Sequence, residues 1–261
     1  MHMSDALVSP AVGCTMWAVS AGATAMCARR LGREATGDRV PLMGVTAAFV
    51  FAAQMLNFTI PATGSSGHLG GGLILSILLG PPAAFLAMAS VLAVQALFFA
   101  DGGLLAFGCN LFNLGAMTCF VAHPLVYRPL AGQGTARWRI ALASIAAAVV
   151  GLQLGSFSVV METGLSGISD LSFGSFLLLM QPIHLAIGLV EGVATAAVVS
   201  FVARVRPEIL VAREGWAKGA GRRSRAVLAA MGIAAIVAAG GLGWFASTRP
   251  DGLEWSVSGV T

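Results

Sequence analysis

The sequence has few charged residues, and it lacks the motifs that mark common soluble enzymes. Only 10% of its 261 residues are charged and 57% are hydrophobic, with a mean hydropathy of +0.86. Soluble globular domains carry about 25% charged residues, so this composition excludes a soluble globule. The sequence contains no G-x-x-x-x-G-K-[ST], H-E-x-x-H or G-x-S-x-G pattern, so it does not indicate ATP hydrolysis by this chain, zinc proteolysis or serine hydrolysis.

Cysteine is scarce, and a secretory signal is not evident. The 4 cysteines stand alone in apolar runs without a C-x-x-C pair, which predicts buried free thiols rather than a disulfide framework or a zinc site. The first ten residues have no basic region, which argues against a cleaved signal peptide. We therefore expect Met1 to be retained, since the large side chain of His2 disfavours removal of the initiator methionine.

Apolar stretches of about 20 residues, the length of a helical span, recur along the chain. They predict an all-α polytopic membrane bundle of seven core spans and one C-terminal span. The third predicted span is short and glycine-rich, and Pro81-Pro82 should end its helix. The predicted spans are residues 11–31, 41–60, 69–80, 83–100, 104–127, 138–160, 173–205 and 226–246.

Basic residues fall on one side of these predicted spans. Every Lys and Arg except Arg249 lies between spans one and two, five and six, or seven and eight, or at the adjoining ends of these spans. The positive-inside rule makes that side cytoplasmic, in the plasma (inner) membrane. The N-terminus, His68, Asp101, Glu162 and Asp170 are then predicted to lie outside. The net charge of +4 therefore reflects membrane topology and does not indicate nucleic acid as a partner.

The N-terminus carries the residues of a metal chelate. The amine of Met1, the backbone nitrogen of His2 and the His2 imidazole can close two fused rings around one ion. His68, in a glycine-rich loop predicted to lie on the same side, can supply a fourth nitrogen. Planar nitrogen donation favours Cu(II) or Ni(II). The alternatives are that His2 belongs to a frayed terminus and that His68 is an ordinary polar loop residue.

Polar residues within the predicted spans are expected to face the bundle interior. His184 and Glu191 are seven residues apart, so they share one helix face, as do Asn110 and Asn113 at a spacing of three. Glu191 is either a proton or ion relay or a structural residue, and we favour the structural role, in which Glu191→Gln preserves binding. The rival functions are an intramembrane enzyme using His184 and Glu191 and a proton-coupled carrier using Glu191.

Four segments of the chain together resemble a known family. MHMSDALVSP, NFTIPATGSSGHLGGG, DGGLLAFGCNLFNLG and HLAIGLVEG look, in this order, like the CbiM/NikM-type substrate-capture subunits of energy-coupling-factor transporters for nickel or cobalt. The resemblance covers roughly residues 1–205. It implies that Met1, His2 and His68 hold the transported Ni(II) or Co(II), and that the chain is a transport subunit without cofactor or enzymatic activity. Separate ATP-binding subunits would supply energy through a transmembrane coupling subunit.

The remaining residues are predicted to add a basic cytoplasmic linker, 206–225, and a region, 226–261, with one more span and an outside tail. The sequence Pro-Asp-Gly-Leu-Glu at 250–254 resembles the small companion subunit whose outer loop carries PDGLE. We expect that a separate companion protein completes this tail or that the tail needs no companion.

Small residues on one face of the first span are the predicted docking surface for the coupling subunit. They are Ala18, Ala21, Ala25 and Ala28.

Overall fold

The computed structural model describes residues 1–34, 39–61, 63–132, 136–170, 172–205, 210 and 222–259. Most of the predicted basic linker, including Arg206, Arg213 and Lys218, lies outside these residues. The described part is mainly helical, with two short strands. The helices are α1 (Pro10–Glu34), α2 (Arg39–Gln54), α3 (Gly72–Leu79), α4 (Pro81–Phe98), α5 (Phe107–Ala131), α6 (Arg137–Ser166), α7 (Phe173–Val205), α8 (Arg222–Gly240) and α9 (Gly252–Ser258), and the strands are β1 (Phe58–Thr59) and β2 (Ser66–Gly67).

The long helices identify a polytopic helical membrane protein. In the described part of the chain, 5 helices are long and apolar enough to cross a membrane, namely α1, α4, α5, α6 and α7. Shorter apolar helices, Val40–Gln54 and Ala229–Gly240, lie within α2 and α8. Helix α3 has 8 residues, which corresponds to about 12 Å against a hydrocarbon core of about 30 Å. Helix length therefore does not confirm the predicted count of seven core spans plus one.

The second predicted span is too long at its C-terminal end. Helix α2 ends at Gln54, and the chain then forms an antiparallel pair in which Phe58 lies opposite Gly67. The residues after Gln54 pair with the loop before His68 instead of continuing the helix, and the Gln54 side chain donates to the Gly70 carbonyl at 2.7 Å. Such non-helical backbone is tolerated at membrane depth when protein surrounds it. His68 is accordingly only 9% exposed.

Helices α3 and α4 meet at the predicted proline break. Helix α3 is buried along its whole length and ends at Leu79. Gly80 then adopts a φ of 80°, and Pro81 occupies the first turn of α4, where its missing N–H costs nothing. The short helix therefore lies inside the bundle, directly after the histidine loop.

Helices α6 and α7 cross closely at glycines. A Cβ atom on Gly188 would lie 3.0 Å from the Cα of Val149, and one on Gly192 would lie 2.5 Å from the Cα of Ile145. Gly188 and Gly192, in a G-x-x-x-G pattern, thus form a helix-crossing face of α7. Glu162, predicted to lie in an outside loop, is instead a buried residue of α6, because this helix continues to Ser166.

The cysteines are only partly as predicted. All are free, and Cys27, Cys109 and Cys119 are buried. Cys14 is exposed on the surface of α1, so the prediction of burial is wrong there. The reason is that much of α1 lies outside the bundle core, and only 17% of its most apolar window is buried.

Candidate metal centre

The N-terminal segment is folded into the bundle. Met1 is 5% exposed and Met3 is 0% exposed. The Met3 N–H donates to Oδ1 of Asn110 at 2.7 Å, and Nδ2 of Asn110 donates to the Met3 carbonyl at 3.1 Å. The N–H of Gly103 donates to the same carbonyl at 2.8 Å. The alternative of a frayed terminus is therefore wrong.

The loop before α5 is shaped to receive this segment. Oδ1 of Asp5 accepts the Ala106 N–H at 3.0 Å, and a Cβ atom on Gly103 would overlap Asp5. Gly102 has a φ of 92°, and a Cβ atom there would lie 2.9 Å from Nδ2 of Asn110. Sequence reasoning placed Asn110 inside the bundle but missed its role. The available signal was an amide side chain, both donor and acceptor, shortly after a Gly-Gly turn.

The structure brings His2 and His68 together. Their ring centroids are 5.0 Å apart and the rings are stacked with an interplanar angle of 19°. Nδ1 of His68 lies 3.1 Å from the Leu69 carbonyl. A carbonyl oxygen only accepts, so this bond places the proton on Nδ1 and leaves the lone pair of Nε2 for a metal. Both predicted histidine positions are thus confirmed as neighbours in a buried site, while metal coordination by them stays a prediction.

The His2 ring points one nitrogen at a carboxylate and buries the other. Its Nδ1 lies 3.4 Å from Oδ1 of Asp101, and its Nε2 is buried without a hydrogen-bond partner among the described residues. Nδ1 is the nitrogen that closes a six-membered chelate ring with the His2 backbone nitrogen. A half-turn of the His2 ring about its Cβ–Cγ bond would exchange the positions of Nδ1 and Cδ2. Nδ1 would then point away from Asp101.

The C-terminal tail supplies a second carboxylate. Oδ2 of Asp251 lies 3.6 Å from the Met1 amine. The other oxygen of Asp251 accepts the N–H groups of Leu253 and Glu254, each at 2.8 Å, and so caps α9. Glu254 in turn accepts the Asp251 N–H at 3.2 Å, which completes a capping box. The Asp and Glu of the PDGLE sequence therefore fix each other, and the Asp faces the N-terminus.

Burial and the amine charge control protonation in this site. Burial, reinforced by the charged Met1 amine, lowers the pKa of His2 and of His68 to about 3. Burial opposes ionisation of Asp251, but the amine, His68 and the Glu254 N–H together outweigh it and lower its pKa to about 2. At neutral pH the site therefore holds two neutral imidazoles beside a carboxylate.

The tail also joins the loop that carries the second histidine. The Ser66 N–H donates to the Pro250 carbonyl at 2.8 Å, and Oγ of Ser66 donates to the Arg249 carbonyl at 2.7 Å. Further out, the Ser247 N–H donates to the Asn57 carbonyl at 2.7 Å. The residues around the PDGLE sequence thus lie over the loop that carries His68.

A small cavity lies between the tail and the bundle core. Nδ1 of His184 bonds the Met180 carbonyl at 2.8 Å, and Nε2 of His184 is buried without a partner among the described residues. A Cβ atom on Gly252 would lie 3.4 Å from the His184 ring, which places this ring directly beneath the tail. The cavity is lined by Met1, Gly67, His68, Gly70, Leu114, Leu152, His184, Ile187, Asp251 and Gly252.

No three His, Cys, Asp or Glu side chains are grouped as metal ligands within the described ranges. The predicted chelate falls outside that pattern because two of its four nitrogens belong to the backbone at Met1 and His2. The donor set of one amine, one amide and two imidazoles is the one that suits a planar nitrogen site. The residues brought together here therefore fit the predicted chemistry.

Two family models match the chain. The cobalt uptake substrate-specific transmembrane region matches residues 2–209, and the PDGLE domain matches residues 225–261. A solved structure described as a transition metal transporter superposes with a TM-score of 0.69 at 28% identity, covering 81% of this chain and 96% of that one.

Named relatives contain both parts or the first part alone. The fused nickel transport protein NikMN of Rhodobacter capsulatus is 32% identical over an alignment 282 positions long, which covers 100% of this chain and 77% of the relative. The cobalt transport protein CbiM of Sorangium cellulosum is 30% identical, with 80% of this chain and 94% of the relative covered. The chain therefore belongs to the CbiM family of metal-uptake membrane proteins and carries a C-terminal PDGLE domain.

Proposed function

We propose that this chain captures Ni(II), or Co(II), as the substrate-specific membrane subunit of an energy-coupling-factor transporter. The transported ion is held by the Met1 amine, by the backbone nitrogen and imidazole of His2, and by the His68 imidazole. The observation that carries the proposal is the stack of two buried imidazoles, 5.0 Å apart, beside the inward-folded N-terminus. Relatives described as nickel and cobalt transport proteins support both metals.

The charges around the site suit a divalent cation. The metal-free site pairs the Met1 amine with Asp251 at 3.6 Å. Coordination displaces protons from the amine and the amide, and the metal then provides the positive charge that faces Asp251. Asp101, 3.4 Å from His2, is a second carboxylate at the edge of the site. Through Asp251, the tail therefore supplies negative charge without contributing one of the four nitrogen ligands.

Equilibrium metal binding tests this proposal. Purified protein is titrated with Ni(II), Co(II), Cu(II) and Zn(II), and His2→Ala and His68→Ala are each expected to abolish tight binding while the protein stays folded. His123→Gln is the matched control, because His123 lies on α5 and stacks on Tyr127 at 5.8 Å, outside the site. Wild-type affinity in either site variant would remove that residue from the proposed ligand set.

The proposed topology places the site outside the cell. Residues 1–205 form seven core crossings, in which the buried loop and α3 together make the third, and α8 adds one more. Met1, His68 and Asp251 meet at one end of the bundle, and the positive-inside rule makes that end extracytoplasmic in the plasma membrane. The domain at 226–261 then covers the site from outside, and a separate companion subunit, if one binds, would join it there.

The proposed partners dock on α1. The predicted small residues Ala18, Ala21, Ala25 and Ala28 are all exposed on this helix. Small exposed residues let another helix approach closely in lipid, which supports docking of a transmembrane coupling subunit that transmits work from ATP-binding subunits.

The two rival functions gain no support from the geometry. Both carboxylate oxygens of Glu191 accept backbone N–H groups, from Gly70 and Gly71, so neither oxygen is available to a substrate or to His184. A proton carrier or an intramembrane enzyme needs such groups to face a substrate. We therefore propose a transport subunit rather than an enzyme.

A further inference from the structure

Glu191 is a fully buried carboxylate of α7 that holds two consecutive backbone groups. Its Oε2 accepts the Gly70 N–H at 2.7 Å and its Oε1 accepts the Gly71 N–H at 3.0 Å. Its relative exposure is 0%. Successive backbone N–H groups form a concave anion site, and bonds to an ionised acceptor are stronger than neutral ones.

The backbone at this point favours glycine. A Cβ atom on Gly70 would lie 3.0 Å from Oε2 of Glu191. Gly71 has a φ of 74°, and a Cβ atom there would overlap Val50. Glycine at both positions therefore lets the loop approach the carboxylate and turn into α3. The HLGGG sequence and the buried glutamate form one structural unit.

A chain of amides holds the opposite side of the same peptide. Nε2 of Gln54 donates to the Gly70 carbonyl at 2.7 Å, and Nε2 of Gln95 donates to Oε1 of Gln54 at 2.8 Å. Gln54 lies on α2 and Gln95 on α4, so three helices fix the Gly70 backbone from both sides. A displacement of Glu191 would therefore move the loop as well as α7.

We propose that Glu191 is a positioning residue that fixes His68 for metal coordination by holding the Gly70 and Gly71 amides. His68 precedes this clamp by two residues, bonds the adjacent Leu69 carbonyl at 3.1 Å and stacks on His2. This inference rests on the proposed metal-binding function. Glu191 contributes no ligand, because both of its oxygens are already engaged with backbone groups.

The geometry reverses the expectation that Glu191→Gln is harmless. An amide offers one oxygen, and its NH2 group would face the N–H of one of the two glycines, which is a donor against a donor. Supporting residues around a metal site are worth about 10- to 100-fold in affinity. We expect E191Q to weaken Ni(II) binding by that factor while the bundle stays folded.

A double-mutant cycle with His68→Ala tests the positioning role. E191Q should weaken Ni(II) binding in the wild-type background and have little further effect on the weak binding that remains in His68→Ala, because Glu191 acts through that ring. Equal losses in both backgrounds, or wild-type affinity in E191Q alone, would overturn the proposal. Thr195→Val is the matched control and should bind normally, since Thr195 is a buried residue one turn further along α7 whose hydroxyl has no partner among the described residues.

Hydrogen exchange of the metal-free protein gives a second readout that does not depend on the proposed function. E191Q should accelerate exchange at Gly70 and Gly71, and unchanged exchange there would refute the clamp even if the protein bound no metal. Gly70→Ala disturbs the same contact from the loop side. It should likewise accelerate exchange at Gly71, and the loss of Ni(II) affinity that it causes should likewise depend on His68. Should E191Q fail to fold, normal exchange and Ni(II) affinity in Gly70→Ala would overturn the proposal. If exchange responds as expected but wild-type protein binds no Ni(II) or Co(II), the metal-binding function fails and so does the positioning role.

Discussion

Replacing Asn110 by alanine should weaken metal binding without touching a ligand. The side chain is 3% exposed and bonds the Met3 N–H at 2.7 Å and the Met3 carbonyl at 3.1 Å. The carbonyl keeps the Gly103 N–H at 2.8 Å, so only the Met3 N–H loses its partner. An unsatisfied buried donor costs about 1–3 kcal/mol. Because the chelate needs the docked terminus, Kd should rise by about 5-fold to 150-fold.

Isothermal titration with Ni(II), in detergent at one pH, measures this effect. Ser144→Ala is the matched control and should leave Kd unchanged, because its buried hydroxyl has no partner among the described residues. Helicity of the Asn110 variant should stay close to wild type, since α5 itself remains intact. Wild-type Kd in Asn110→Ala would refute the idea that the Met3 backbone bonds position the terminus.

Three further outcomes follow from the same geometry. Ni(II) affinity should fall as pH drops from 6.5 to 5, because coordination displaces protons from the amine and the amide. Undocking adds to this fall, since the pKa of His2 and His68 is about 3 when buried and about 6.5 when undocked, so the undocked state takes up protons below pH 6.5. A flat profile over that range would contradict a site of amine, amide and imidazole nitrogens. Asp251→Asn keeps the helix cap but removes the negative charge that faces the Met1 amine, so Kd should rise about tenfold. An unchanged Kd would show that the tail does not contribute to metal binding. Tryptophan at Ala21 or Ala25 should block uptake in cells but preserve metal binding by the isolated subunit, and normal uptake would eliminate this face for docking.

Much of the helical framework was predictable because hydropathy alone determines it. The predicted seventh span, 173–205, coincides with α7, and the proline break before α4 lies where expected. The end of α2 was not predictable, since the apolar residues after Gln54 pair with Ser66–Gly67 instead of continuing the helix. Hydropathy also misplaced Glu162, because a carboxylate near the end of a span is normally assigned to a loop. In the structure its Oε2 accepts a hydrogen bond from Nδ2 of Asn113 at 2.7 Å, a contact that the sequence does not reveal.

The two histidines of the candidate site could be predicted as neighbours from the sequence, but the residues that support them could not. The positions of His2 and His68 follow from chelate chemistry and a shared side of the membrane. Their neighbours do not, because Asn110 is distant in sequence from the terminus it anchors and Asp251 lies in a separate domain. Glu191 was correctly placed in the interior, yet its contact with a glycine pair emerged only from tertiary structure.

The central claim is that a free N-terminal amine holds the transported ion, and blocking that amine tests it most directly. Protein whose intact mass confirms an unblocked Met1 is compared with protein that is acetylated at Met1 or extended by one residue, and Ni(II) and Co(II) affinities are measured for each form. The account predicts tight binding only with the free amine, with losses as large as in His2→Ala. Tight binding by the acetylated or extended form would contradict it.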